Sequence, residues 1–221
     1  MSAMSATYRA TFEDARGQEV AEIHNDGTEL SISLRGVDFV GGDFDGLSPV
    51  SDQLERARSL FTLQHDAVCA CKIDWSMPLE VENANQRSSA SLWASLVLGD
   101  PLPNGGLSHE TLILELRTPF ATMRSSGKSG WFEDELLELS AKLGDGGRIR
   151  SCITCAYSDY SPYGHGLFGN LACFRDIKTE YAQVKSKAGI FEVWNRMTEY
   201  VQETYLCEQF AQRVPGTGYR G

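Results

Sequence analysis

Apolar and polar positions alternate with the period of a strand through most of the first two thirds of the chain. Leu30-Ser31-Ile32-Ser33-Leu34 puts every second side chain on one face, as a half-buried strand requires. Thr7–Phe12 and Glu19–Ile23 are short extended candidates before it. Asn25-Asp26-Gly27 reads as a turn, because Asn and Gly tolerate the backbone angles that tight turns need. Further strands are expected at Leu60–His65, Ala67–Trp75, Ser89–Leu98 and Thr111–Leu116. Gly36, Gly41, Gly42 and Gly46, and the run Pro101-Leu102-Pro103-Asn104-Gly105-Gly106, separate them as loops. Only Asp52–Ser59 interrupts the series, as a short helix or a charged loop. Many short strands with Gly and Pro turns predict an antiparallel sandwich or curved sheet.

The period then changes. Phe132, Leu136, Leu139 and Leu143 form one apolar stripe at helical spacing, with Glu133, Asp134 and Glu135 in the first turn, where the helix dipole favours acid. Gly144 closes this helix. Beyond it, Arg148–Thr154 and Leu167–Phe174 read as strands. Asp176 is expected to cap a helix over Ile177–Lys187, and a second helix is expected from Ile190 to Val201. The resulting expectation is an α+β fold. A β-rich, sandwich-like domain covers residues 6–145 and ends in the helix 131–143; a C-terminal α/β module covers 146–221.

Charge divides the chain at the same place. Residues 1–145 carry 23 acidic against 11 basic side chains, residues 146–221 carry 7 against 9, and the whole is −10. Residues 13–55 alone hold 11 acidic and two basic side chains, Arg16 and Arg35. Such a field repels phosphate backbones, which argues against nucleic acid as a partner, and favours a basic protein. Asp38, Asp43, Asp45, Asp52 and Glu55 are the candidate contact surface. No segment is long and apolar enough to suggest a membrane span, and the first residues lack a basic start and apolar core, so a cytosolic location is expected.

In a reducing compartment, cysteines read as thiols or metal ligands before disulfides. Cys152 and Cys155 are spaced C-x2-C, Cys173 follows 18 residues later, and Cys207 another 34. Two thiolates of one turn plus two distant sulfurs make a closed tetrahedral shell for Zn2+, a structural site without an open position for catalysis. Cys69 and Cys71, with His65 four residues earlier, lack a fourth ligand and read as core packing.

Common catalytic signatures are absent: no G-x-S-x-G and no H-E-x-x-H occurs. Ser125-Ser126-Gly127-Lys128-Ser129 resembles the end of a phosphate-binding loop, but that motif needs glycine where Thr122 stands. The Gly- and Tyr-rich loop Ser158–Gly169 offers Asp159 and His165, with Arg220, as an alternative ligand site; its aromatic residues serve equally to wrap the cysteines.

The stretch from Cys152 through Ser158-Asp159-Tyr160-Ser161-Pro162-Tyr163-Gly164-His165-Gly166-Leu167-Phe168-Gly169 resembles a bacterial family of uncharacterised proteins. Gln202-Glu203-Thr204-Tyr205-Leu206-Cys207 and Gly216-Thr217-Gly218-Tyr219-Arg220-Gly221 extend the resemblance, with weaker similarity upstream. The resemblance implies no activity; its implied setting beside contact-dependent toxins is that of an immunity protein. Two functions follow: a non-catalytic binding protein that neutralises a toxin through its acidic surface, or an enzyme with its site in loop 158–169.

Overall fold

The computed structural model describes residues 5–84, 86–144, 146–164 and 168–220. Four strands open the chain: β1 (Ala6–Asp14), β2 (Gly17–Asn25), β3 (Leu30–Leu34) and β4 (Val37–Gly41). Burial alternates residue by residue in each, so the period visible in 30–34 is the period of a sheet with one buried face. After β5 (Ser48–Pro49), the segment 52–59 becomes a one-turn 3-10 helix followed by α1 (Leu54–Leu60). The hairpin β6 (Thr62–Gln64) and β7 (Ala67–Cys69) comes next. Ala70, with φ 52°, then breaks what the sequence suggested was one strand, and β8 (Cys71–Asn83) begins beyond it.

β8, β9 (Gln86–Leu98) and β10 (Glu110–Arg117) are the longest ladder and pair antiparallel, followed by β11 (Thr122–Arg124). The main sheet runs β11-β10-β9-β8-β1-β2-β3-β4-β5, every pair antiparallel. α2 (Phe132–Lys142) lies against β10, with Phe132, Leu136 and Leu139 buried, as the apolar stripe required.

The step at residue 145 is not a break between cores. β12 (Arg148–Arg150) pairs with the far half of β8, Glu80–Glu82, while β1 pairs with its near half, Cys71–Trp75. Two distant segments thus share one edge of β8. Arg148 pairs with Glu82, and Arg150 with both Glu80 and Glu82. Trp75, Phe44, Phe132 and Phe168 form an aromatic cluster, with centroids 4.3 Å apart for Phe44 and Trp75 and 4.6 Å for Phe132 and Phe168. Phe168 therefore sits in the same core as the strands.

The rest of the chain is less regular than its sequence suggested. Only Arg148–Arg150 of the expected strand 148–154 is extended; Cys152–Thr154 is a 3-10 turn. β13 (Ser158–Asp159), β14 (Leu171–Cys173) and β15 (Glu199–Val201) make a small three-stranded sheet. The two expected helices are shorter, α3 (Lys178–Ala182) and α4 (Lys187–Trp194), and Val201 lies in a strand. Asp176 makes no side-chain cap; Ser186 caps α4, accepting a bond from the Gly189 amide at 3.1 Å. A second small core of Phe174, Tyr181 and Ile190 holds these helices, Phe174 and Tyr181 stacked at 4.7 Å. Among the described residues no helix is long and apolar enough to cross a membrane.

Candidate functional site

Three loops meet at one end of the main sheet and enclose a cavity of about 400 Å³. The β4–β5 loop supplies Asp45, the β6–β7 hairpin supplies Gln64, His65 and Cys69, and the β9–β10 connection ends in His109 and Glu110. His65 and Asp66, with φ 49° and 65°, form a two-residue turn whose left-handed backbone matches strand twist. That turn sets the His65 ring against Gly105, whose φ of 90° suits glycine and where a Cβ would stand 2.7 Å from the imidazole Cε1 and push the ring aside. Backbone and side-chain bonds lock the three loops together. The Val68 amide donates to Leu47 O at 2.9 Å and the Ala70 amide to Gly99 O at 3.0 Å, while Gln64 Nε2 donates to Leu102 O at 3.2 Å. The cavity walls belong to this scaffold rather than to free loops.

Its charge is one-sided. Asp45 and Glu110 both reach solvent, and no basic side chain among the described residues pairs with either. Desolvation raises the Asp45 carboxyl; desolvation and then the charge of Asp45 raise that of Glu110. Cys69 is buried, its thiol pushed up by burial and by nearby Asp100. His109 Nδ1 lies 3.1 Å from Ser108 Oγ. Nothing in the sequence periodicity marks His109 or Glu110; the only hint is the Gly- and Pro-rich run before them. Asp45 was foreseen as part of an acidic surface, not as the wall of a cavity.

Of the other candidate acidic contacts, Asp38, Asp52 and Glu55 are exposed. Asp38 accepts bonds from Ser33 Oγ and Gln53 Nε2, and Glu55 pairs with Arg58 at 2.8 Å. Asp43 is a correction. It is buried, and its Oδ1 accepts the amides of Phe44 at 2.7 Å and Phe168 at 3.2 Å. Its carboxylate holds the β4–β5 loop against the tail and offers no surface charge.

The cysteines of the tail are brought into one neighbourhood. Cys152 and Cys155 flank the 3-10 turn, with the Cys155 amide bonded to Cys152 O at 3.1 Å, and the Cys152 amide reaches Tyr205 O at 2.6 Å, two residues before Cys207. Cys173 lies in β14. Burial raises the Cys152 thiol strongly, followed by the charges of Cys155, Cys173 and Cys207. Arg175 stands beside them, its guanidinium 3.8 Å from Cys173 Sγ and paired with Glu199. All six cysteines are free thiols. Among the described residues no three His, Cys, Asp or Glu side chains are grouped so that they could hold a metal ion.

The alternative site in loop 158–169 becomes a buried network. Asp159 is buried, and burial lifts its carboxyl to about 6 while the Tyr181 hydroxyl donates to it at 2.9 Å. Arg220 pairs with Glu133 and lies 5.1 Å over the Tyr160 ring. His165 lies outside the described residues. The centre of the network is Glu203, fully buried. It accepts the Tyr160 hydroxyl and the Gly169 amide (2.9 Å), and burial lifts its carboxyl to about 8.

The phosphate-loop look-alike at 125–129 is filled from within. Glu135 accepts the amides of Gly127 (2.7 Å) and Ser129 (2.9 Å), and Glu138 accepts that of Ser126 at 3.1 Å. Burial opposes the charge on Glu135, but bonds from Ser125, Ser129 and Gly127 outweigh it and hold its carboxyl low. Carboxylates of α2 occupy the amides that a bound phosphate would need.

No curated protein and no solved structure matches this chain. A family model does match, over residues 6–158, from the first strand to just past the Cys152–Cys155 turn. The Gln202–Cys207 and Gly216–Gly221 motifs lie outside the match. The chain belongs to the family described as "Family of unknown function (DUF6304)".

Proposed function

We propose that the protein is a non-catalytic binding protein that captures a basic protein partner with the acidic loop end of its sheet, in the most concrete form a cytosolic immunity protein that neutralises a bacterial toxin domain. One observation carries the reading: Asp45 and Glu110 line a cavity without basic partners among the described residues, in a chain many of whose other acids are engaged in internal ion pairs and loop amides. Carboxylates left unpaired in a fold that pairs Glu82, Asp14 and Glu138 are available to a partner. Complementary charge of this kind raises association rates and excludes wrong partners. Co-expression with a toxin encoded beside it should rescue growth, and Asp45→Lys with Glu110→Lys should slow association in low salt by about tenfold or more. Unchanged association of the double variant would remove the acidic surface from the reading.

The same proposal assigns the tail a structural Zn2+ held by Cys152, Cys155, Cys173 and Cys207. Thiolate donors suit zinc, and four of them leave no position for a substrate. The nearness of Cys155, Cys173 and Cys207 to the buried Cys152 thiol supports it, and the ligands have to close around the ion on binding. Elemental analysis of purified protein should find one zinc per chain, lost in Cys173→Ser and in Cys207→Ser. Metal-free protein with unaltered unfolding after chelation would overturn the assignment.

A further inference from the structure

The cavity at the loop end of the sheet has a size and a lining that select more narrowly than charge alone. It is walled by Gln64, His65, Cys69 and His109 as well as by the two carboxylates, and its volume of about 400 Å³ exceeds what one hydrated ion fills. The carboxylates come from different elements, Asp45 from the β4–β5 loop and Glu110 from the start of β10, and both line the same cavity. The loops that carry them are tied to one another by the bonds from Val68, Ala70 and Gln64, which keeps both acids in place before anything binds. Resting on the reading of a basic protein partner, we propose that this cavity is the pocket for one arginine side chain of that partner, its guanidinium held between Asp45 and Glu110.

A guanidinium suits the arrangement better than an ammonium. It is planar, permanently charged and weakly hydrated, and its five donors can serve two carboxylates at once. An ammonium is a compact, strongly hydrated point charge that gains less from a second acceptor on the far side of a wide pocket. Both carboxylates line the one cavity, and a guanidinium lying there meets two charge-assisted acceptors at once. Asp66, the remaining carboxylate of the hairpin turn, is already engaged by Arg58 at 3.1 Å and is not part of the pair.

The test uses the full chain and Nα-acetyl-L-arginine methylamide, with the lysine counterpart as comparison, followed by amide chemical shifts or calorimetry. Saturable binding of the arginine probe is expected, with shifts confined to Asp45, the His65–Cys69 hairpin and Gly105–Glu110. Asp45→Asn and Glu110→Gln should each weaken it about tenfold or more, and the lysine probe should bind more weakly. Gly105→Ala, which drives a Cβ against the His65 ring, should weaken it without touching either charge. Unfolding curves of each variant check that the fold is retained. Shifts scattered over the acidic surface, equal binding of both probes, or indifference to Asp45→Asn and Glu110→Gln would overturn the pocket. A protein partner still lost on charge reversal would then leave the broader reading standing.

Discussion

The main sheet and the tail that follows it are held together by different means. Strands β1 to β10 bury alternate apolar residues, and among the described residues their buried polar groups are few, Asn25 and Glu82, with Asp43 in the β4–β5 loop. The tail has strands of two or three residues and buries Ser151, Thr154, Ser158, Asp159, Gln202, Glu203 and Thr204 beside Cys152, Cys155 and Cys173. A sheet gains most from area removed from water and tolerates imprecision. A network of buried polar groups gains only if each finds its partner, so it specifies one geometry at the risk of losing it whole.

The largest effect on this contrast is expected where the two regions meet. Phe168 leaves the tail to fill the core against Phe44, Trp75 and Phe132, so Phe168→Ala should cost about 3–5 kcal/mol in urea unfolding. If sheet and tail unfold separately, the loss would appear in one of two transitions instead of a single one. Glu203→Gln tests the polar side. Burial raises this carboxyl to about 8, so the native state holds a proton that the unfolded chain releases at ordinary carboxylate pH. That contribution is full below about pH 4.5 and fades as pH rises through about 8. The amide keeps an oxygen acceptor for Tyr160 and Gly169 and has no charge to gain, so the variant should match the wild type at about pH 4.5 and exceed it increasingly as pH rises toward about 9, read by Tm against pH.

Arg35→Ala tests the sheet side, where an ion pair does occur. The guanidinium reaches both Asp14 oxygens (2.6 and 2.7 Å) and lies over Phe12 and Phe61. Its loss should cost about 2 kcal/mol near neutral pH. Asp14 is held low, chiefly by the Arg35 hydrogen bond, so the wild type loses this stabilisation as pH falls below the ordinary carboxylate range and the variant does not. Ser186→Ala, which removes the cap of α4 at the far end of the tail, should cost about 1 kcal/mol.

The same contrast explains what was legible in the sequence. Leu30–Leu34 and the stripe Phe132, Leu136, Leu139 announce their elements because one face of each is apolar at a fixed period. The break at Ala70 was invisible, since it depends on a left-handed backbone at a residue that gives no sign of it. The helix expected at 190–201 stops at Trp194, because β14 offers Glu199–Val201 a ladder that outweighs helical spacing. In the candidate site, Asp45 stood out by its charge, but His109 and Glu110 join it only through the register of β10 with β9. Asp43 carries the same charge as Asp45 two residues away, and only the inward amides of Phe44 and Phe168 tell them apart.

The shared edge of β8 bears on how the molecule is made. During synthesis the long hairpin of β8 and β9 can form early, yet half of its open edge waits for Arg148–Arg150 to emerge. Until then Glu80 and Glu82 face water without their arginines, and the exposed ladder can be taken by a neighbouring nascent copy. A fragment stopping before Arg148 should therefore self-associate, and the region matched by the family, ending at residue 158, is long enough to close that edge.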